Sequence, residues 1–143
     1  MKNNEVDILL VEDNPADAEL AIRALKKNNS LNNIVHVKDG AEALEYIFCI
    51  GRHTDRGFET QPKVILLDLN MPKISGMDVL RRIKADEQTK NIPVIVLTSS
   101  KENPDVKTCY ELGVNSFIVK PVQFENFIQA VAELGLYRIL FNI

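Results

Sequence analysis

Tryptophan is absent from this 143-residue chain, cysteine occurs twice, and glycine and proline occur six times each. So little glycine and proline excludes collagen-like and low-complexity architectures. Cys49 and Cys109 stand at no metal-binding spacing, and a chain of this length closes a core without covalent staples, so both are expected as reduced thiols. His36 and His53 likewise lack partners at ligand spacing. No apolar run approaches the ~20 residues needed to span a bilayer. The start, MKNNEVD, turns polar and acidic where a secretory signal requires an apolar stretch. A cytoplasmic location with no membrane partner is therefore expected. Positive charge is not in excess either: the formal net charge is −3 and the 17 Lys and Arg residues are scattered, which leaves no electrostatic footprint for nucleic acid. What remains, 45% apolar and 26% charged residues, is the mixture of a folded globular domain and argues against disorder. With no linker or repeat along the chain, residues 1–143 are expected to form one domain, 136–143 being a hydrophobic extension, with no output domain.

Five short apolar runs alternate with helical patterns. Val6 to Val11 ends in Glu12-Asp13. Asn14-Pro15 then starts a helix, Asn as N-cap and Pro in the first turn, with an expected inward stripe of Leu20, Ala21, Ala24 and Leu25. Asn28 to Asn33 reads as a turn. Ile34 to Val37 is a second strand, broken by Asp39-Gly40, and Ala41 to Phe48 is a helix with Ala41, Leu44, Ile47 and Phe48 inward. Gly51 to Pro62 is a loop, long for an α/β connection, and is either a partner contact or a passive insertion. Val64 to Asp68 is a third strand, stopped by Pro72. Met77 to Ala85 is a helix, and Pro93 to Leu97 a strand followed by Thr98-Ser99-Ser100. Asn103-Pro104 opens a helix that ends at Gly113. Ser116 to Val119 is the last strand, before Lys120-Pro121 and an amphipathic helix marked by Phe124, Phe127, Ile128, Val131 and Leu134. Runs this short and this apolar are strands buried on both faces. Strands alternating with helices require a parallel sheet with right-handed crossovers and helices on both faces.

Four of these strands end in groups with a chemical use: Glu12-Asp13, Asp68, Thr98 and Lys120. Parallel strands bring their carboxyl ends to one edge, where open α/β sheets bind ligands. Each group alone has an ordinary explanation as a turn former, helix-start acid, capping hydroxyl or surface lysine; their weight is joint. Three carboxylates in one pocket repel one another and call for positive charge. Lys120 supplies one, and Mg²⁺ suits the rest, since it takes a few carboxylates with waters and a phosphate oxygen. Asp68, on the middle strand, is then the candidate nucleophile toward phosphorus, with Lys120 and the Thr98 hydroxyl placed to stabilise the transferring group.

VEDN after the first strand, LLDLNMP around the third, LTSS after the fourth and FIVKP at the fifth together resemble the response-regulator receiver domain of two-component signalling. The resemblance implies a doubly wound, flavodoxin-like sheet in the order 2-1-3-4-5. It also implies Asp68 as phosphoacceptor. Mg²⁺ would be held by Asp13, by Glu12 through water, by Asp68 and by the Asn70 backbone carbonyl. Thr98 becomes the switch hydroxyl, Lys120 the phosphate-binding lysine, Phe117 the aromatic that rotates on activation, and Lys120-Pro121 a cis bond. Glu12 and Phe117 are variants of positions where many relatives carry Asp and Tyr. The implied role is a signalling switch rather than an enzyme proper: it takes a phosphoryl group from a sensor histidine kinase, hydrolyses it slowly, and signals through altered protein binding.

The long loop and the tail ELGLYRILFNI resemble the single-domain regulators paired with bacterial phytochromes and similar kinases, although Arg138 stands where many have Trp. Leu136, Tyr137, Ile139, Leu140 and Phe141 exceed what one helix needs to cover a sheet, which points to a twofold homodimer through the last strand, the last helices and the tail, the alternative being a tail that folds back onto its own core. Two other classes fit less well. An aspartyl-phosphate phosphatase would want an acid two residues after the nucleophile, where Asn70 stands. A flavin-binding domain would have its phosphate repelled by Glu12-Asp13.

Overall fold

The computed structural model describes residues 6–27, 33–114 and 116–141. The turn expected over 28–33 falls largely outside them, as do the first five and last two residues. The strands are β1 (Ile8–Val11), β2 (Ile34–Val37), β3 (Val64–Asp68), β4 (Val94–Thr98) and β5 (Ser116–Val119). They pair in parallel in the order β2-β1-β3-β4-β5. The helices are α1 (Pro15–Leu25), α2 (Gly40–Phe48), α3 (Gly76–Ala85), α4 (Pro104–Glu111), α5 (Phe124–Glu133) and a final short α6 (Tyr137–Phe141). This is the expected doubly wound flavodoxin-like fold, and no helix among the described residues is long and apolar enough to cross a membrane.

Every residue of β1, β3 and β4 is buried. Alternate side chains serve opposite layers, as the two-residue period of a strand requires. Leu9, Val11, Ile65 and Leu67 pack with α2, α3 and α4, while Ile8, Leu10, Val64 and Leu66 pack with α1, α5 and α6. The helix starts follow from local chemistry. The Asn14 side chain accepts from the Asp17 amide at 2.9 Å and the Asp39 side chain from the Glu42 amide at 2.7 Å. Ser75 and Asp78 form a reciprocal capping box. Asp39-Gly40 is therefore a helix start as well as a strand end.

Helix phase differs from expectation in two places. In α1 the inward residues are Ala18, Ala21 and Leu25, and Leu20 is 49% exposed. In α2 Ala43 and Tyr46 join Leu44 and Ile47 inside, Ala41 faces out and Phe48 is only partly covered. The long loop is folded: 3₁₀ turns at Gly51–His53 and Phe58–Thr60 flank Arg56. The Arg56 guanidinium donates to the Tyr46 and Thr60 carbonyls and stacks 3.7 Å over the Tyr46 ring. His53 lies 3.2 Å from Glu42. The tail also departs from an apolar strip facing outward. Leu140 and Phe141 are buried under the α1/α5 layer, while Ile139 is 59% exposed.

Candidate functional site

The parallel register sets the site. Val11 is level with Leu67, Asp68 with Leu97, and Thr98 with Val119. Glu12 and Asp13 thus leave β1 beside Asp68, and Lys120 leaves β5 beside Thr98. The backbone ties these ends together, with the Lys120 amide donating to the Thr98 carbonyl at 2.8 Å and the Glu12 amide to the Val37 carbonyl at 3.2 Å. Lys120-Pro121 is cis. Glu12, Asp13 and Asp68 present carboxylate oxygens that all lie within 4.8 Å of one another. The Lys120 ammonium sits 3.2 Å from Asp68 Oδ2 and 3.4 Å from Glu12 Oε1. The other oxygens are held by backbone: Asp68 Oδ1 accepts from the Asn70 amide at 3.1 Å, and Glu12 Oε2 from the Asn14 amide at 3.2 Å. Gly76, at the start of α3, lets that helix approach Asp68. A Cβ there would collide with the Asp68 carbonyl oxygen and lie 2.6 Å from Leu69 Cα.

Burial and crowding decide the charge states. Glu12 is 2% exposed, and burial pushes its carboxyl up to about 7; shared hydrogen bonding with Asp68 and the Asp68 charge add to the shift, while Lys120 and the Asn14 amide oppose it. Burial alone would lower the Lys120 ammonium, but the Asp68 and Glu12 carboxylates outweigh it and hold its pKa above the ordinary lysine range. Three converging carboxylates, two of them buried, are a hard-oxygen donor set with surplus negative charge, which fits a small divalent cation.

The residues expected in the switch lie nearby in a different arrangement. The Thr98 hydroxyl donates to the Ser100 carbonyl at 2.9 Å. Phe117 on β5 is partly buried and meets Tyr110 of α4 edge-to-face at 6.2 Å between centroids. Sequence reasoning missed one member. Asp17, in the first turn of α1, places Oδ2 3.4 Å from the Lys120 ammonium. Its only signal was its position, one helical turn beyond Asp13. His36 stands apart, its Nε2 donating to the Glu12 carbonyl at 2.8 Å, and Cys109 is buried against Met77.

The family described as response regulator receiver domain matches residues 8–132. A protein named as the probable methanogenesis regulatory protein FilR2 of Methanothrix harundinacea is 39% identical over 94% of this chain and 84% of its own length. The response regulator Rcp1 of Synechocystis is 37% identical over 87% of this chain and 82% of its own. Among solved structures, the bacteriophytochrome response regulator RtBRR superposes with TM-score 0.84 at 46% identity, over 92% of this chain and 78% of that one. The phosphorylated cyanobacterial phytochrome response regulator RcpA superposes with TM-score 0.76 at 37% identity, over 94% of both chains. Rcp1 in its Mn²⁺-bound form does so with TM-score 0.74 at 34% identity, over 95% of this chain and 94% of that one.

Proposed function

From the premise that this chain belongs to the response regulator receiver family of two-component signalling and is a phosphorylation-activated regulator, we propose that Asp68 is its phosphoacceptor. The observation that carries this is the Asp68 carboxylate itself: 1% exposed, at the tip of the central strand, between the Lys120 ammonium and the carboxylates of Glu12 and Asp13. A sensor histidine kinase, of the phytochrome type by similarity to RtBRR and RcpA, presents a phosphohistidine. An Asp68 oxygen bonds to phosphorus as the phosphorus–nitrogen bond breaks, and the electron pair leaves on the imidazole. Hydrolysis later returns inorganic phosphate and the free carboxylate. Glu12, Asp13, Asp68 and the Asn70 carbonyl would hold Mg²⁺, which when bound neutralises charge on the phosphoryl oxygens. Lys120 pairs with one of those oxygens. Thr98 exchanges its bond to Ser100 for another, and Phe117 moves into the space this opens, so the surface formed by α4 and β5 changes for a protein partner. Asn70 supplies no acid at the position where a phosphatase would need one, which keeps the acyl phosphate long-lived. The kinase docks on the face of α1 near Pro15, Ala18 and Ile22 together with the loop after Pro121, beside a groove of about 700 Å³ lined by Leu20, Ala24, Pro121 and Phe124. The protein acts in the cytoplasm, and its receiver domain forms a homodimer.

The test is labelling from acetyl phosphate or a phosphorylated kinase. Asp68→Asn should fold and lose all acid-labile label, and EDTA should stop labelling of the wild type. Label that persists in Asp68→Asn removes the assignment, and label that persists in excess EDTA removes the metal role.

A further inference from the structure

We infer that Asp17 is a positioning residue that competes with the phosphoryl group for Lys120. This rests on the reading of Asp68 as phosphoacceptor. In this structure the Lys120 ammonium is shared by three carboxylates, at 3.2 Å from Asp68, 3.4 Å from Glu12 and 3.4 Å from Asp17. Two of the three are fixed. Asp68 and Glu12 are 1% and 2% exposed and are anchored by the Asn70 and Asn14 amides. Asp17 differs in kind: its side chain is 42% exposed, and it comes from α1 rather than from a strand end. Helix start does not require its charge, because Asn14 caps α1 and Pro15 occupies the first turn.

An ammonium has three donors and one charge. When Asp68 takes up a phosphoryl group, the local charge on the acceptor increases and new acceptor oxygens appear. Lys120 then has to reorient toward them. Glu12 and Asp68 stay within reach of it from the sheet edge. Asp17 pulls from the side of the helix, away from the sheet. Its carboxylate stabilises the unphosphorylated arrangement more than the phosphorylated one, and a group with such a differential preference shifts the balance between two states. Asp17 thereby sets how much donor is needed to fill the site.

The experiment compares wild type, Asp17→Asn, Asp17→Glu and Asp68→Asn in saturating Mg²⁺, reading steady-state label against acetyl phosphate concentration. A partly exposed ion pair is worth up to about 1 kcal/mol, so Asp17→Asn should lower the half-saturating concentration by about three- to fivefold. Asp17→Glu should return it toward wild type. A merely structural role at the helix start would not move the second readout, the Lys120 Cε signal in ¹³C-lysine spectra, identified by its loss in Lys120→Arg. Asp17→Asn should shift that signal in the unphosphorylated protein and leave it near its wild-type position in the phosphorylated protein. Asp17→Ser, a second neutral variant, should repeat both results. An unchanged or raised half-saturating concentration overturns the inference, as does a Lys120 signal that does not move. Labelling that survives in Asp68→Asn, or fails in the wild type, overturns the parent reading instead.

Discussion

Glu12 carries the sharpest pH consequence of any single residue. Its carboxyl is raised from 4.5 to about 7, first by burial and then by Asp68. A divalent cation that uses this carboxylate must displace the proton, so cation affinity rises with pH. Between pH 6 and pH 8 the ionised fraction of a group with pKa near 7 grows from about a tenth to about nine tenths, which predicts an approximately tenfold gain in Mg²⁺ or Mn²⁺ affinity. Calorimetry across that range checks it, and a flat affinity in the wild type, matched by a flat affinity in Glu12→Gln, would show that Glu12 takes no part. The sign for folding runs the other way. A carboxyl whose folded pKa is raised contributes stability to the metal-free protein below its ordinary value of 4.5, and that contribution is lost as pH climbs through about 7. The adjacent acids Glu12 and Asp13 were plain in the sequence. That Glu12 is almost fully covered, while Asp13 is only half so, was not, because both lie past the end of the apolar run, where the pattern no longer assigns a face. Asp17 was illegible for a different reason: its significance is a contact with a residue 103 positions away.

The elements around the site were largely readable, since four of the five strand ends coincide with a change from an apolar run to a chemical group, and Asn14-Pro15 and Asn103-Pro104 announce their helices by cap and fixed φ. Two features were not. The turns of the 51–62 loop depend on Arg56 finding carbonyls of Tyr46 and Thr60, a side-chain clamp with no period to reveal it. Gly76 stands just before the helix expected from Met77, and its work is steric. Helix α3 starts directly against the backbone of Asp68 and Leu69, and any Cβ there meets main chain that cannot rotate aside. Gly113 makes the contrast. It has a positive φ of 101° and open space around it, so alanine there meets only conformational strain. Gly113→Ala should cost about 1–2 kcal/mol and leave labelling intact. Gly76→Ala should cost about 1–3 kcal/mol from overpacking and also slow labelling, since the displaced backbone carries the nucleophile. Denaturant melts with acetyl phosphate labelling separate the two, and equal labelling in both variants would mean that α3 does not position Asp68.

At the scale of the whole molecule the tail is the part whose sequence allowed two outcomes, and the structure divides them between neighbouring residues. Leu140 and Phe141 are 2% and 9% exposed and extend the core beneath α1 and α5; Ile139, one position earlier, is 59% exposed. A surplus of apolar residues therefore does not translate wholly into an interface, and pattern alone could not say which residues turn inward over a helix of only five residues. Among the described residues, Ile139 of α6, Val119 of β5 and Tyr110 of α4 are exposed at 59%, 38% and 45%, apolar surface on elements through which the proposed dimer would close. These two roles predict opposite mutant behaviour. Leu140→Ala should lower stability, by up to about 2–3 kcal/mol, because a leucine in a core costs that much to truncate but the loss is capped by the free energy of undocking a peripheral helix. Ile139→Glu should leave the melting temperature unchanged, since an exposed position contributes little to folding, and should make the protein monomeric in sedimentation at tens of micromolar if the dimer closes through this face. A dimer that survives Ile139→Glu places the interface elsewhere, and a wild type that sediments as a monomer both with and without phosphoryl donor removes the dimer and leaves the tail as core alone.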